Sequence, residues 1–220
     1  EFAREIVKGM QKGDISRPDS VAAEPKHYVG YGTPVAGLNC APTAFGRHEV
    51  FAYCLPVFEE AFVNGGAWNA MCSYNSIDGQ PVASDRELLT DVLRGQYRMP
   101  GFVRTDLTAV SRLYNDHYTA PSPQEAIRQG LEAGVDLQLY DFTHEEWENG
   151  IKSLIETGKM SEAVLDQACG TGGMLSTSYN FIKRYNPSAD VRLFGQEINP
   201  ESYAICLAEI MFKGLNAENI

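Results

Sequence analysis

Asp106 follows the run PGFVRT (100–105), in which a Pro-Gly turn leads into a short, partly β-branched stretch that reads as a strand. A carboxylate delivered by a strand end can act as a nucleophile or a base. From spacing alone it can equally cap a helix beginning at Leu107. Three further strand-like runs end on polar groups: 20–24 leads to Lys26-His27, 67–73 to Tyr74-Asn75, and 134–139 to Tyr140-Asp141. An ammonium beside a carboxylate keeps it ionised, and an imidazole or phenol can hydrogen-bond either the carboxylate or a substrate hydroxyl. Read singly, Lys26 is a solvated charge, His27 a loop hydrogen-bonder and Tyr74 a half-buried packing residue. Their recurrence at successive strand ends makes them a candidate set.

His117, Glu145 and Glu146 read as a loop imidazole and solvated helix-face charges instead of a proton donor. The four histidines lie far apart without H-E-x-x-H spacing, and the five cysteines form no C-x-x-C pair, so no metal site is expected. An odd number of thiols without a disulfide-like pattern points to a reducing, cytoplasmic setting.

The elements that must carry these residues emerge from the punctuation. Gly, Pro and capping residues divide the chain into short β-like and longer α-like pieces that take turns, an α/β pattern. Ser84 with Glu87, Ser122 with Glu125 and Thr143 with Glu146 each predict a helix start, because the hydroxyl and the carboxylate can satisfy orphaned backbone donors. A helix over 44–64 should be kinked or split by Pro56 and stopped by Gly65-Gly66. Four β-α units result, and parallel sheets place functional loops at the carboxyl ends of their strands.

Composition narrows the function. Hydrophobic residues at 44% and charged residues at 21% are ordinary for a globular chain of 220 residues. A net charge of −11 opposes wrapping of a polyanion. No apolar run long enough to span a membrane is present, and the opening EFAREIVKGMQKGD is charged and amphipathic, so neither a membrane partner nor a secretion signal is expected.

The segments AEPKHYVGYG, GRHEVFAYCLPVFEEAF, MCSYNSIDGQPVASDRELLTDVLRG, GFVRTDLTA and GLEAGVDLQL lie in the order found in glycoside hydrolase family 3, the β-glucosidase-like retaining glycosidases, which residues 1–168 resemble. The resemblance implies the C-terminal half of a (β/α)8 barrel acting without a cofactor on a terminal β-linked glucoside or oligosaccharide. It makes Asp106 the nucleophile, Lys26 and His27 the pair that binds sugar hydroxyls, and Tyr74 the residue that steadies the nucleophile. Two departures stand out: Arg104 replaces an apolar strand residue, where a charge facing outward could be tolerated, and Leu107 replaces a large aromatic group. A complete barrel takes about 250 residues, and the family's general acid comes from a later domain, so activity of this stretch alone should be impaired.

Beyond Ala168 the likeness changes. The run DQACGTGG (166–173), followed by DVRLFGQEI (190–198), resembles the N6-adenine DNA methyltransferases of type I restriction systems, over residues 169–220. This resemblance implies the start of a Rossmann-like sheet that binds S-adenosylmethionine. Gly170 and Gly172 would let the backbone pass under the cofactor, Asp166 would lie near its amino-acid end, and Glu197 would take the ribose hydroxyls. Gln167 departs from the usual proline, and the Asn/Asp-Pro-Pro-aromatic motif that grips a flipped adenine is absent, so DNA is a partner only under this second reading. Two families meeting at Leu165-Asp166-x-Ala168 suggest a chimeric chain.

Overall fold

The computed structural model describes residues 1–160, 163–166, 175, 179–180, 182–184, 187–188, 191–195 and 200–215. The chain forms two compact units, Glu1–Ser153 and Leu154–Ile220. They divide ahead of the 168/169 boundary drawn from the resemblances. The reason is strand pairing: β5 (Ala163–Asp166), built from residues on the glycosidase-like side, pairs parallel with β6 (Arg192–Gly195) on the other side.

The first unit opens with helix α1 (Phe2–Gln11), which buries Val7 and Gln11 and leaves Phe2, Ile6 and Met10 exposed. Gln11 ties the helix to the rest of the unit, donating through Nε2 to the Gly66 carbonyl at 2.6 Å and accepting from the Ala23 amide at 3.0 Å. Residues 23–28 run parallel to β1 (Ala70–Cys72), with Tyr28 bonded through its amide to Met71 O and through its carbonyl to the Ser73 amide. The strand expected at 20–24 is therefore displaced toward the chemistry-bearing residues. Pro25 offers no N–H, which keeps the ladder there from closing into a regular strand.

Strand β1 pairs in parallel with β4 (Val103–Thr105), and Arg104 bridges in parallel to Leu137. The fourth expected strand, 134–139, is reduced to that bridge, supplemented by the Thr105 amide donating to Leu137 O at 2.9 Å. Between β1 and β4 lie a hairpin of β2 (Ser76–Ile77) and β3 (Gln80–Pro81) and a helix with π-type turns, Glu87–Gln96. Four parallel segments thus stand side by side in chain order, as in part of a β/α barrel.

Pro56 acts as expected. The helix from Arg47 to Asn64 is divided into α2 (Arg47–Glu49), wide π-type turns over Val50–Cys54, α3 (Leu55–Glu59) and further wide turns over Glu60–Asn64, and Gly66 at φ 74° ends it. The caps at Ser122 and Thr143 also form: the Glu125 amide donates to Ser122 Oγ, and Thr143 and Glu146 satisfy each other's amides. Ser84 does not cap. Asp85 takes the Leu88 amide at 3.1 Å instead, because a carboxylate one residue nearer the helix outcompetes the hydroxyl, which is engaged with Gln80 and Pro81.

The core lies between the parallel segments and these helices. Val29, Ala70, Cys72 and Val103 from the strands meet Val50, Leu55, Phe62, Leu88, Leu89 and Leu93 from the helices, all at most 4% exposed. Tyr28 is wholly buried there, edge-on to Phe58 and donating its hydroxyl to Leu88 O at 3.1 Å. Burying residue 28 on the helical side leaves its neighbour His27 for the opposite face.

In the second unit, β5 and β6 end in register at Asp166 and Gly195, and the helix Pro200–Phe212 packs Cys206 and Ile210 on Leu175 and Leu193. The positions Gly170, Gly172 and Glu197, and the side chain of Asp166, lie outside the described residues. Among the described residues no group of three His, Cys, Asp or Glu side chains could hold a metal ion, and no helix is long and apolar enough to cross a membrane.

Candidate active site

Asp106 stands where β4 ends. No regular helix begins at Leu107; turns run to helix α4 (Arg112–Asn115). Asp106 Oδ1 accepts from the adjacent Leu107 amide at 2.7 Å, which fixes the carboxylate plane and leaves Oδ2 free to face His27 Nε2 at 3.2 Å. Both side chains are largely sheltered, at 15% and 18% exposure.

Burial pushes the His27 imidazole below its ordinary value, against the pull of the Asp106 charge, so His27 sits there neutral near pH 7 with an Nε2 proton to donate. Its ring lies 4.2 Å from that of Tyr31. Tyr74, 9% exposed, is pushed up to about 12, first by burial and then by the charge and hydrogen bonding of Asp106. Its phenol keeps its proton, which the carboxylate accepts.

Two of the three residues expected around the nucleophile, His27 and Tyr74, therefore converge on it. Lys26 does not join them: it is exposed and borders an apolar pocket between α1 and α3, although its charge reaches His27 and opposes protonation there.

Several supports of this cluster were not visible in the sequence. His117 donates from Nε2 to the Tyr74 carbonyl at 2.8 Å, and burial lowers its pKa. It is thus a brace for Tyr74, a role that its reading as a loop imidazole did not include. The Arg112 guanidinium lies over the Tyr74 ring at 5.0 Å and also donates to Cys40 Sγ and Asp116. Asp141 turns inward, accepting from Thr105 Oγ1 at 2.9 Å and from the Ser111 amide at 2.8 Å, so it braces the β4 end and its turn from below. Burial raises the Asp141 pKa from its ordinary value, against the hydrogen bonds it accepts. Tyr140, by contrast, is exposed.

Arg104 does not face outward. It clasps Glu24 through three hydrogen bonds of 2.7–2.9 Å, on the strand face that also carries Asp106 two residues on.

Comparison with known proteins gives two family matches. The model described as the glycosyl hydrolase family 3 N-terminal domain matches residues 1–170, and that described as N-6 DNA methylase matches residues 142–220. Beta-D-xylosidase 3 of Arabidopsis thaliana is 30% identical over 174 residues, covering 76% of this chain and 22% of its own length. The periplasmic beta-glucosidase of Salmonella typhimurium is 32% identical over 175 residues, covering 80% and 22%. A solved β-glucosidase structure from Erythrobacter marinus superposes with a TM-score of 0.64 at 34% identity, covering 71% of this chain and 20% of that one. The chain thus spans about a fifth of the length of each of these three proteins.

Proposed function

Because the chain belongs to the family of the glycosyl hydrolase family 3 N-terminal domain, we propose that it hydrolyses terminal β-linked sugars by a retaining route with Asp106 as nucleophile. The convergence of the His27 imidazole and the Tyr74 phenol on one sheltered carboxylate at a parallel strand end supports this reading. Asp106 Oδ2 would attack the anomeric carbon as the bond to the leaving oxygen breaks, giving a glycosyl ester. An acid about 5–5.5 Å away would protonate that oxygen, and water activated by the same group would then release the sugar. His117, held on the Tyr74 carbonyl, and Glu146, held in its helix cap, do not supply that proton. His27 would hold a hydroxyl of the sugar, while Lys26, turned toward the pocket between α1 and α3, would act there only through its charge.

No acid for the leaving oxygen is assigned among the described residues. The test therefore avoids the need for an acid. A dinitrophenyl 2-deoxy-2-fluoro-β-glucoside carries a leaving group that departs without protonation, and its slow second step leaves the ester on the protein. Mass spectrometry should find one sugar on the peptide bearing Asp106 and none in Asp106→Ala. An unlabelled wild-type chain, or a label elsewhere, would reject the nucleophile. The sugar itself, glucoside or xyloside, is decided by running both, as the relatives carry both names.

A second reading concerns residues 142–220, which match the N-6 DNA methylase model. Here the segment would bind S-adenosylmethionine through Asp166, Gly170, Gly172 and Glu197, the cofactor supplying a transferable methyl group. The parallel β5–β6 pair, with Asp166 and Gly195 level at the carboxyl ends, is the observation that favours it. Calorimetry should show binding that weakens in Glu197→Ala. In this reading the chain joins pieces of two families, and long-read sequencing across codons 160–175 of the source DNA checks whether one continuous gene encodes both. A cytoplasmic, reducing setting suits the free thiols of Cys40, Cys54 and Cys72.

A further inference from the structure

Residues 23–28 and β4 are not neighbours; β1 lies between them and pairs with both. Yet two pairs of side chains meet across it: Glu24 with Arg104, and His27 with Asp106. Side chains that meet from alternate strands are the mark of the inside of a β/α barrel, where each layer is filled by every second strand. The two pairs therefore form successive tiers on the inner face, the ion pair one step below the candidate nucleophile. Met71, in register with Arg104 on the intervening strand, is 3% exposed.

The lower tier has the stronger geometry. Arg104 donates from Nε to both carboxylate oxygens of Glu24, at 2.9 and 2.8 Å, and from Nη2 to Oε1 at 2.7 Å, with the two side chains 28% and 17% exposed. A planar guanidinium gripping a carboxylate in this way fixes orientation as well as distance. Elsewhere the 23–28 segment is held to β1 unevenly: Tyr28 is bonded firmly, its amide to Met71 O at 2.8 Å and its carbonyl to the Ser73 amide at 2.7 Å, whereas ahead of it the amides of Asn69 and Met71 reach Ala23 O and Pro25 O only at 3.3 and 3.4 Å, and Pro25 has no donor to return.

We propose that the Glu24–Arg104 pair is the positioning device of this site, holding the segment that carries His27 at the height where its imidazole meets Asp106. Arg104 is then no stray charge in a strand: it is a positioning residue acting through Glu24 and His27. Its functional meaning rests on the glycosidase reading, but its test does not require turnover.

His27 faces Asp106 and the Tyr31 ring, and the charges of Lys26 and Glu24 also reach it. The probe is the imidazole Nε2 proton of His27 in the intact chain, followed by nuclear magnetic resonance with labelled histidine and assigned by His27→Gln. Wild type should show a protected Nε2 proton held by Asp106, and Asp106→Asn should expose it. Glu24→Gln and Arg104→Met should each lose the protection, and the exchanged pair Glu24→Arg/Arg104→Glu should restore it. The His27 titration midpoint should rise in Arg104→Met, where the released Glu24 carboxylate is left near the ring, and fall in the exchanged pair, where a guanidinium takes its place.

Protection that survives in both single variants overturns the proposal, as does its absence from the exchanged pair, whether or not that pair folds. Should a single variant fail to fold, the exchanged pair decides alone. If Asp106 proves unreactive toward the fluoro-glucoside while the exchange restores His27, the positioning stands and the glycosidase reading falls.

Discussion

Tyr74 makes the sharpest forecast about a single side chain. Its phenol donates to the Asp106 carboxylate, and a hydrogen bond to a charged group contributes about 1.5–3 kcal/mol. Tyr74→Phe should therefore slow labelling of Asp106 by on the order of ten- to a hundredfold, with the fold retained; an unchanged rate would remove Tyr74 from the machinery. His27 and His117 share another property: burial lowers the pKa of each below the ordinary histidine value. Between their folded values and the unfolded value of about 6.5, the unfolded chain binds more protons, so stability is full above that range and falls as pH drops through it. Urea midpoints should decline from pH 7.5 to pH 5.5, and His117→Asn should flatten the decline. Asp106, His27 and Tyr74 were legible in the sequence because each succeeds a strand-like run. Glu24 with Arg104 was not, since eighty residues separate them and only the order of the strands brings them together.

Elements depend on how closely β1 and β4 approach. A methyl group at Gly101 would run into the Trp68 carbonyl, to which the Gly101 amide donates at 3.0 Å. Gly101→Ala should destabilise the chain by about 1–3 kcal/mol and shift the β4 end, so thermal melts and Asp106 labelling should suffer together. Ser122→Ala removes only a helix cap, with a cost of about 1 kcal/mol and labelling unaffected. The alternation of strands and helices could be read from punctuation, as could the interruption at Pro56 and two of three caps. Strand limits could not. Proline at 25 weakens one ladder, and the fourth segment holds β4 through a bridge at Leu137 instead of a full run of pairs. Such limits are set by partners across the sheet, which local composition does not encode.

For the molecule as a whole, the uncovered apolar surface of the first unit is the main consequence of its architecture. Phe2, Ile6 and Met10 recur every four residues along one side of α1 at 88%, 60% and 41% exposure, and Leu137 on the inner sheet face is 48% exposed. Apolar stripes and open parallel edges favour association. A dye that fluoresces on apolar surfaces should bind the native chain, and Ile6→Lys with Leu137→Lys should dim it without unfolding; a dark wild type would mean these faces are covered in solution. The paired tiers also constrain how the protein can change over generations. Loops at the strand ends can lengthen or shorten freely, but a single codon lost between Glu24 and His27, or between Arg104 and Asp106, would throw both pairs out of step at once. Descendants should therefore vary in their rims while keeping the intervals of three and two residues untouched.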